Sequence, residues 1–266
     1  MLHEGAVATG STVDGAPAFP GRLEIIRELA VTDFRLKYHD SVLGYLWSML
    51  SPILMLGTFY LVFRYIVVVR TPGYLPYLAV GLVYWTFFQD CSCSGLTSLA
   101  AKAGTLKALP VPVVLVAAGA AASTVITVLI NTAVLVVALA VGGRLSSLAP
   151  LAIVPLAALV LLAAGVGFAV AVAHAHFRDA ALIWTVLLQA GFWLTPVVYH
   201  VSSPPLWEVL HWNPLARCLT LLRWFLVYDF APPVRFVIVT VASCAAVFAF
   251  GLALLLRHQR RIPELL

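Results

Sequence analysis

The chain has 266 residues, 62% hydrophobic and only 10% charged, with a mean hydropathy of +1.02 and a formal net charge of +5. A soluble domain is roughly 45–50% apolar and about 25% charged, so there is too little polar surface here to cover a water-soluble globule. Soluble enzymes, soluble binding modules and disordered proteins are excluded, which leaves an all-α polytopic membrane protein.

Residues 1–20 lack the basic start and apolar core of a secretory signal. Their Gly, Ala, Ser, Thr and Pro content reads as a flexible tail. Residues 21–42 follow as an amphipathic helix. Leu23, Ile26, Ala30, Phe34 and Tyr38 recur at helical spacing, and Arg22, Glu24, Arg27, Glu28, Arg35 and Lys37 occupy the other faces. Such a helix lies in the membrane interface or packs, solvated, on a partner.

The membrane-spanning body runs over 43–256. A crossing needs about 20 apolar residues, and six stretches qualify: 44–69, 74–100, 111–141, 150–173, 180–199 and 236–256. The third is the longest and must tilt or run into the interface. The segment 200–233 holds two half-apolar stretches separated by Asn213-Pro214, each too short to span. They read as re-entrant or interfacial helices, and Trp207, Trp212, Trp224 and Tyr228 suit an aromatic belt. A polar tail, 257–266, closes the chain.

Orientation follows from the basic flanks. Arg22, Arg27, Arg35, Lys37, Lys102, Lys107, Arg178, Arg257, Arg260 and Arg261 fall on one side; Arg64, Arg70, Arg144, Arg217, Arg223 and Arg235 fall on the other. The richer side is expected to be cytoplasmic, with both termini there. The scattered basic residues are explained by topology, not by nucleic acid.

Enzymatic signatures are missing. The lysines are Lys37, Lys102 and Lys107, and none follows glycine, so no P-loop exists. There is no Gly-x-Ser-x-Gly and no His-Glu-x-x-His. Cys91 and Cys93, two apart, would point to opposite sides of a helix, and His174 and His176 share the same problem, so no metal site is expected. Asp90 is the one acid within a span; it serves transport, or it bonds a neighbouring helix. Small residues recur every four positions at Gly165, Ala169, Ala173 and at Ala245, Ala249, Ala253, which permits close helix contact.

Aromatic residues are the richer signal. Tyr45, Phe59 and Phe63 fall near one face of the first span; Trp184, Phe192, Trp193 and Tyr199 cluster on the fifth. Such faces stack on sugar rings, or simply face lipid and core.

The run 32–52 contains Asp33, Arg35, Lys37, Tyr38, Ser41-Val42-Leu43-Gly44, Trp47 and Pro52. It resembles the signature of polysaccharide-export ABC permeases, the membrane subunits for O-antigen, teichoic acid, capsule and galactan. Gly81, Trp85 with Phe87 and Phe88, Lys107-Ala108-Leu109-Pro110, Phe177-Arg178-Asp179, Pro196 and Asn213-Pro214 continue the likeness in order. Thr32, Ser51 and Val111-Pro112-Val113 depart from the pattern. The resemblance implies six spans, an amphipathic N-terminal helix and short re-entrant helices before the last span. It implies a homodimer in the bacterial inner membrane, working with two copies of a separate ABC ATPase that binds ATP and Mg. This chain would carry no cofactor and catalyse nothing. Arg35, Lys37 and Tyr38 would meet a lipid-diphosphate headgroup, Lys102, Lys107, Leu109 and Pro110 would couple to the ATPase, and the aromatic faces would line the path of a lipid-linked polysaccharide. A drug or lipid exporter of the same superfamily is the nearest alternative, and an intramembrane enzyme acting on lipid-linked sugars the next.

Overall fold

The computed structural model describes residues 21–38, 46–66, 73–108, 111–199 and 212–265. Tyr45, Leu109 and Pro110 lie outside them, as do the first tail and most of the first re-entrant stretch. The side chain of Tyr38 is also outside.

The described residues are helical, with no strand among them. In chain order the helices are α1 (Arg22–Tyr38), α2 (Leu46–Leu61), α3 (Tyr74–Ala101), α4 (Ala103–Ala108) and α5 (Val113–Val141). Then come α6 (Ile153–His176), α7 (Ala180–Leu194), α8 (Pro214–Arg223), α9 (Val234–His258) and α10 (Ile262–Leu265). Wide π-type turns extend α2 over Val62–Ile66 and α8 over Trp224–Tyr228, and a tight turn, Ala149–Ala152, leads into α6. The end of the bundle that carries α1 is called proximal, the other distal.

Sequence sets these ends. Pro112 and Pro233 stand immediately before α5 and α9, where a missing N–H costs nothing. Asn213 caps α8: its Oδ1 accepts from the amides of Leu215 and Ala216, with Pro214 at the first helical position. α5 ends at Gly142-Gly143, where Gly143 takes φ +62, a left-handed conformation that a Cβ would strain.

Among the described residues three helices are long and apolar enough to cross a membrane: Val113–Val141, Ala149–His176 and Val234–His258. α3, with 28 residues, is about 42 Å long at 1.5 Å per residue. α2 and α7 are shorter apolar helices. The fifth expected span, 180–199, leaves the helix at Leu194. Thr195 precedes Pro196, whose ring forbids it the helical region, and it sits at φ −104, ψ 135.

α6 is the centre of the bundle, packed on α9 and α3 and touching α5 and α8. In lipid no hydrophobic force draws apolar helices together, so close backbone approach and dispersion must do so. A Cβ on Gly95 of α3 would lie 2.6 Å from the Gly167 Cα, and one on Gly165 would lie 2.7 Å from the Phe248 amide nitrogen of α9. Gly251 meets the Gly165 backbone in the same way. Of the two small-residue stripes only Gly165 marks such a crossing. On α9 the contact falls at Gly251, while Ala249 and Ala253 are exposed.

α1 lies along α5, with Ala30 buried and the Leu29 side chain against Gly119. The expected stripe is covered at Ile26, Ala30 and Phe34, but Leu23 is 82% exposed.

Candidate functional site

At the proximal end two ion pairs tie α1 to α3. Lys37 Nζ lies 3.0 Å from Asp90 Oδ2, and Lys102 Nζ lies 2.7 Å from Asp33 Oδ2. Between them is a cleft of about 420 Å³ that also takes in Ser94, Thr97, Ser123 and Thr124. The Lys37–Asp90 pair is roughly two-fifths exposed, so water screens it and it adds little stability. Its consequence is register, holding α1 at one height on α3. Asp90 therefore bonds a neighbouring helix. Of the expected headgroup and coupling cations, Lys37 and Lys102 are held by carboxylates. Arg35 and Lys107 are exposed, with no ion pair among the described residues. Lys107 sits on α4 beside buried Leu106, and the C-terminal α10, whose Ile262 is buried, packs near α4 and α6.

Along the bundle an aromatic strip joins α2, α3 and α7. Phe59 stands 6.3 Å from Phe63 and 5.6 Å from Phe192 between ring centroids. Phe192 in turn stands 5.5 Å from Trp85 and 5.3 Å from Trp193. Phe63 continues distally to Tyr74 at 6.1 Å, and Trp85 continues proximally to Phe88 at 5.9 Å. Gly191 leaves room for the Trp85 ring, whose nearest carbon would be 3.4 Å from a Cβ there. Phe59 and Phe63 of the first span are thus brought together with Phe192 and Trp193 of the fifth. Trp184 sits apart, its indole N–H donating to Ser92 Oγ at 3.2 Å. Tyr199 turns back and donates its hydroxyl to the Trp193 carbonyl at 2.7 Å. Tyr74, Trp85 and Phe88 were not singled out as path residues, although their spacing along α3 places them near one helix face.

At the distal end sequence reasoning missed the principal residue. Arg223 was counted as a flanking charge, but it is 3% exposed. Its Nη1 and Nη2 donate to the carbonyls of Pro196 and Val197, each at 2.8 Å, and its Nε donates to the Tyr77 carbonyl at 3.3 Å. The guanidinium carbon lies 3.5 Å from the centre of the Tyr77 ring. Tyr74 and Tyr77 donate their hydroxyls to the carbonyls of Val198 and Tyr199 at 2.7 and 2.6 Å. Asn213 Nδ2 adds a bond to Thr195 Oγ1 at 3.1 Å. The chain that leaves α7 is therefore captured carbonyl by carbonyl, satisfying backbone that lipid could not. The available signal was an arginine inside the apolar run Leu221-Leu222-Arg223-Trp224-Phe225. Arg217 is likewise engaged, with Nε donating to Thr240 Oγ1 at 3.0 Å.

A second distal latch is Asp229, at φ 51. Its Oδ1 accepts from the hydroxyls of Ser146 and Ser147 at 2.6 and 2.8 Å, and the Ser146 amide donates to the Leu226 carbonyl. These donors hold its pKa below the ordinary carboxylate range. The stabilisation is then present at neutral pH and through about pH 4, and is lost as pH falls through the lowered native value. Asp229→Asn is expected to remove that acid-limb dependence from the thermal unfolding profile while leaving the neutral and alkaline limbs parallel.

The remaining chemical candidates are quiet. Cys91 and Cys93 are free, and Cys218 and Cys244 are buried thiols with sulfurs 3.5 Å apart. His176 faces His258, not His174, with ring centroids 5.1 Å apart. No cluster of three metal-ligating side chains occurs among the described residues.

The sequence model described as "ABC-2 type transporter" matches residues 25–227. An O-antigen export system permease protein, RfbA, from Klebsiella pneumoniae is 29% identical over 198 residues, covering 72% of this chain and 75% of its own. The polysialic acid transport protein KpsM of Escherichia coli is 25% identical over 207 residues, covering 74% and 79%. The RfbA permease of Myxococcus xanthus is 24% identical over 184 residues, covering 67% and 69%.

Proposed function

The chain belongs to the ABC-2 type transporter family, and from that membership we propose that it forms the transmembrane path by which an ATP-driven exporter moves a lipid-linked polysaccharide out of a bacterial cell. It is the membrane subunit of an ABC exporter, and ATP is hydrolysed in a separate subunit. The substrate class rests on the relatives, named for O-antigen export and polysialic acid transport. The observation that carries it is the aromatic strip on α2, α3 and α7. Aromatic faces offer broad apolar contact to sugar rings with few specific donors, which suits a repeating polymer that must slide.

In this reading α2, α3, α5, α6, α7 and α9 make six crossings of the inner membrane, and the proximal face with both termini is cytoplasmic. Arg217 and Arg223 are engaged within the bundle. Setting these aside, and Lys37 and Lys102 on the same ground, leaves four distal cations against eight proximal ones, which supports the orientation. Arg35, Lys37 and Tyr38 meet the anionic headgroup of the lipid-linked substrate. Lys102, Lys107, Leu109 and Pro110, around α4, couple to the ATPase. Two copies of this chain assemble with two ATPases.

The test is co-expression with the ATPase encoded at the same locus. A stable two-plus-two complex, whose ATP hydrolysis responds to lipid-linked glycan and not to amphiphilic drugs, is expected. No association, or a response to drugs alone, would overturn the reading.

A further inference from the structure

A second cleft, of about 620 Å³, opens between α2, α3 and α5 and meets the aromatic strip at its distal end, through Tyr74. Most of its wall is apolar and includes Ile53, Leu56, Leu82 and Leu135. Among the described residues two charged groups line it, Arg64 and Arg144, both exposed. Neither is in an ion pair among the described residues. Gly143, left-handed, turns the chain so that the Arg144 amide bonds the Leu139 carbonyl at 2.8 Å, holding Arg144 against the distal end of α5.

The cleft has the height of one leaflet. On α2 it runs from Pro52 to Arg64, and on α5 from Asn131 to Gly142. At 1.5 Å per residue these are about 18 and 16 Å, or about half of a 30 Å hydrocarbon core. Its apolar part therefore begins near mid-bilayer and ends at the distal face, where both guanidiniums stand. Ile53 and Leu75 on its rim are 52% and 43% exposed, so it opens sideways to surrounding lipid. Its volume is within the range of bound small ligands.

We propose that this cleft binds an anionic phospholipid of the distal leaflet, an acyl chain lying along α2 and α5 and the phosphate held by Arg64 and Arg144. Guanidinium forks suit phosphate oxygens, and the length of the apolar wall matches one acyl chain of one leaflet. The site borders the polymer path at Tyr74 and otherwise lies on α2, α3 and α5 residues outside it. It would steady α2 against α3 and α5 at the end where the headgroup of a flipped substrate would arrive.

The test uses the full chain with its ATPase in nanodiscs of phosphatidylcholine carrying a minor fraction of phosphatidylglycerol. Lipid retained after extraction is read by native mass spectrometry. Phosphatidylglycerol is expected to be enriched over phosphatidylcholine on the native complex. The double variant Arg64→Gln/Arg144→Gln should lower that enrichment about tenfold. Arg235→Gln, a distal arginine outside the cleft, should leave it unchanged. Ala138→Trp, which fills the wall without touching charge, should displace both lipids. Equal enrichment in the native and double-variant complexes would overturn the proposal. So would loss of enrichment in Arg235→Gln to the same degree, which would mean general surface charge. Occupation by the substrate's polyprenyl chain, or by a second copy of this chain, in place of phospholipid would overturn it too.

Discussion

Replacing Arg223 by leucine is expected to lower the stability of the complex by about 3 kcal/mol, a fall of roughly 10 °C in unfolding temperature. The guanidinium donates to the carbonyls of Tyr77, Pro196 and Val197 and lies over the Tyr77 ring. Leucine supplies none of those donors: the Val197 carbonyl is stranded, at a cost of about 1–3 kcal/mol, Pro196 keeps only the Tyr77 hydroxyl at 3.2 Å, and Tyr77 keeps its place in the α3 ladder. The lost contact with the Tyr77 ring adds to this, and removing a desolvated charge gives some of it back. Arg223→Lys keeps the charge but loses the planar fork, and an intermediate loss of about 1–2 kcal/mol is expected. Because the bonds hold the 195–199 segment, cysteine labelling at Val198 should become fast in Arg223→Leu before global unfolding. An unchanged unfolding temperature with unchanged labelling would show that the knot is incidental.

Gly165→Ala is expected to cost about 3 kcal/mol, at the upper end of overpacking penalties. The added methyl would meet the Phe248 backbone, 2.7 Å from its amide nitrogen, and the Val247 carbonyl at 2.8 Å. Backbone on a helix cannot step aside as a flexible side chain can, so α6 and α9 must part. That separation forfeits dispersion along the most extensive contact in the bundle. Gly104→Ala is the control: a Cβ there meets nothing within 4 Å. It should be neutral or stabilise by about 0.4–1 kcal/mol, since alanine restricts the unfolded chain. Similar losses in both variants would mean that helix propensity, not the α6–α9 crossing, sets the effect.

The fold was legible where composition and punctuation act locally. Apolar runs bounded by Pro112, Gly142 and Pro233 gave α5 and α9 to within a few residues, and Asn213-Pro214 marked the start of α8. The fifth span was read too long, because apolarity continues through Val197 and Val198 although Pro196 has already ended the helix. Periodicity also named Ala249 and Ala253 where Gly251 makes the contact. A chain so rich in alanine offers several equivalent stripes, and only the relative rotation of α6 and α9 selects one. The aromatic strip was half legible: Phe59, Phe63, Phe192 and Trp193 stood out within their own spans. Trp85 and Tyr74 become part of it only once α3 is placed between α2 and α7. Arg223 and Asp90 show the opposite case. Each looked like a flank charge or an isolated acid, and each is defined by a partner more than fifty residues away or by backbone carbonyls that no pattern advertises.

Proteoliposomes give a direct readout of ATP-driven movement of a lipid-linked glycan along the strip. The complex would be reconstituted with a fluorescent polyprenyl-diphosphate oligosaccharide and ATP on the proximal side, and lectin-accessible glycan on the other face would be followed in time. ATP-dependent appearance of glycan is expected, slowed about tenfold or more in Phe192→Ala/Trp85→Ala with ATP hydrolysis retained. Glycan that stays on the proximal side in the native complex while ATP is consumed would contradict it.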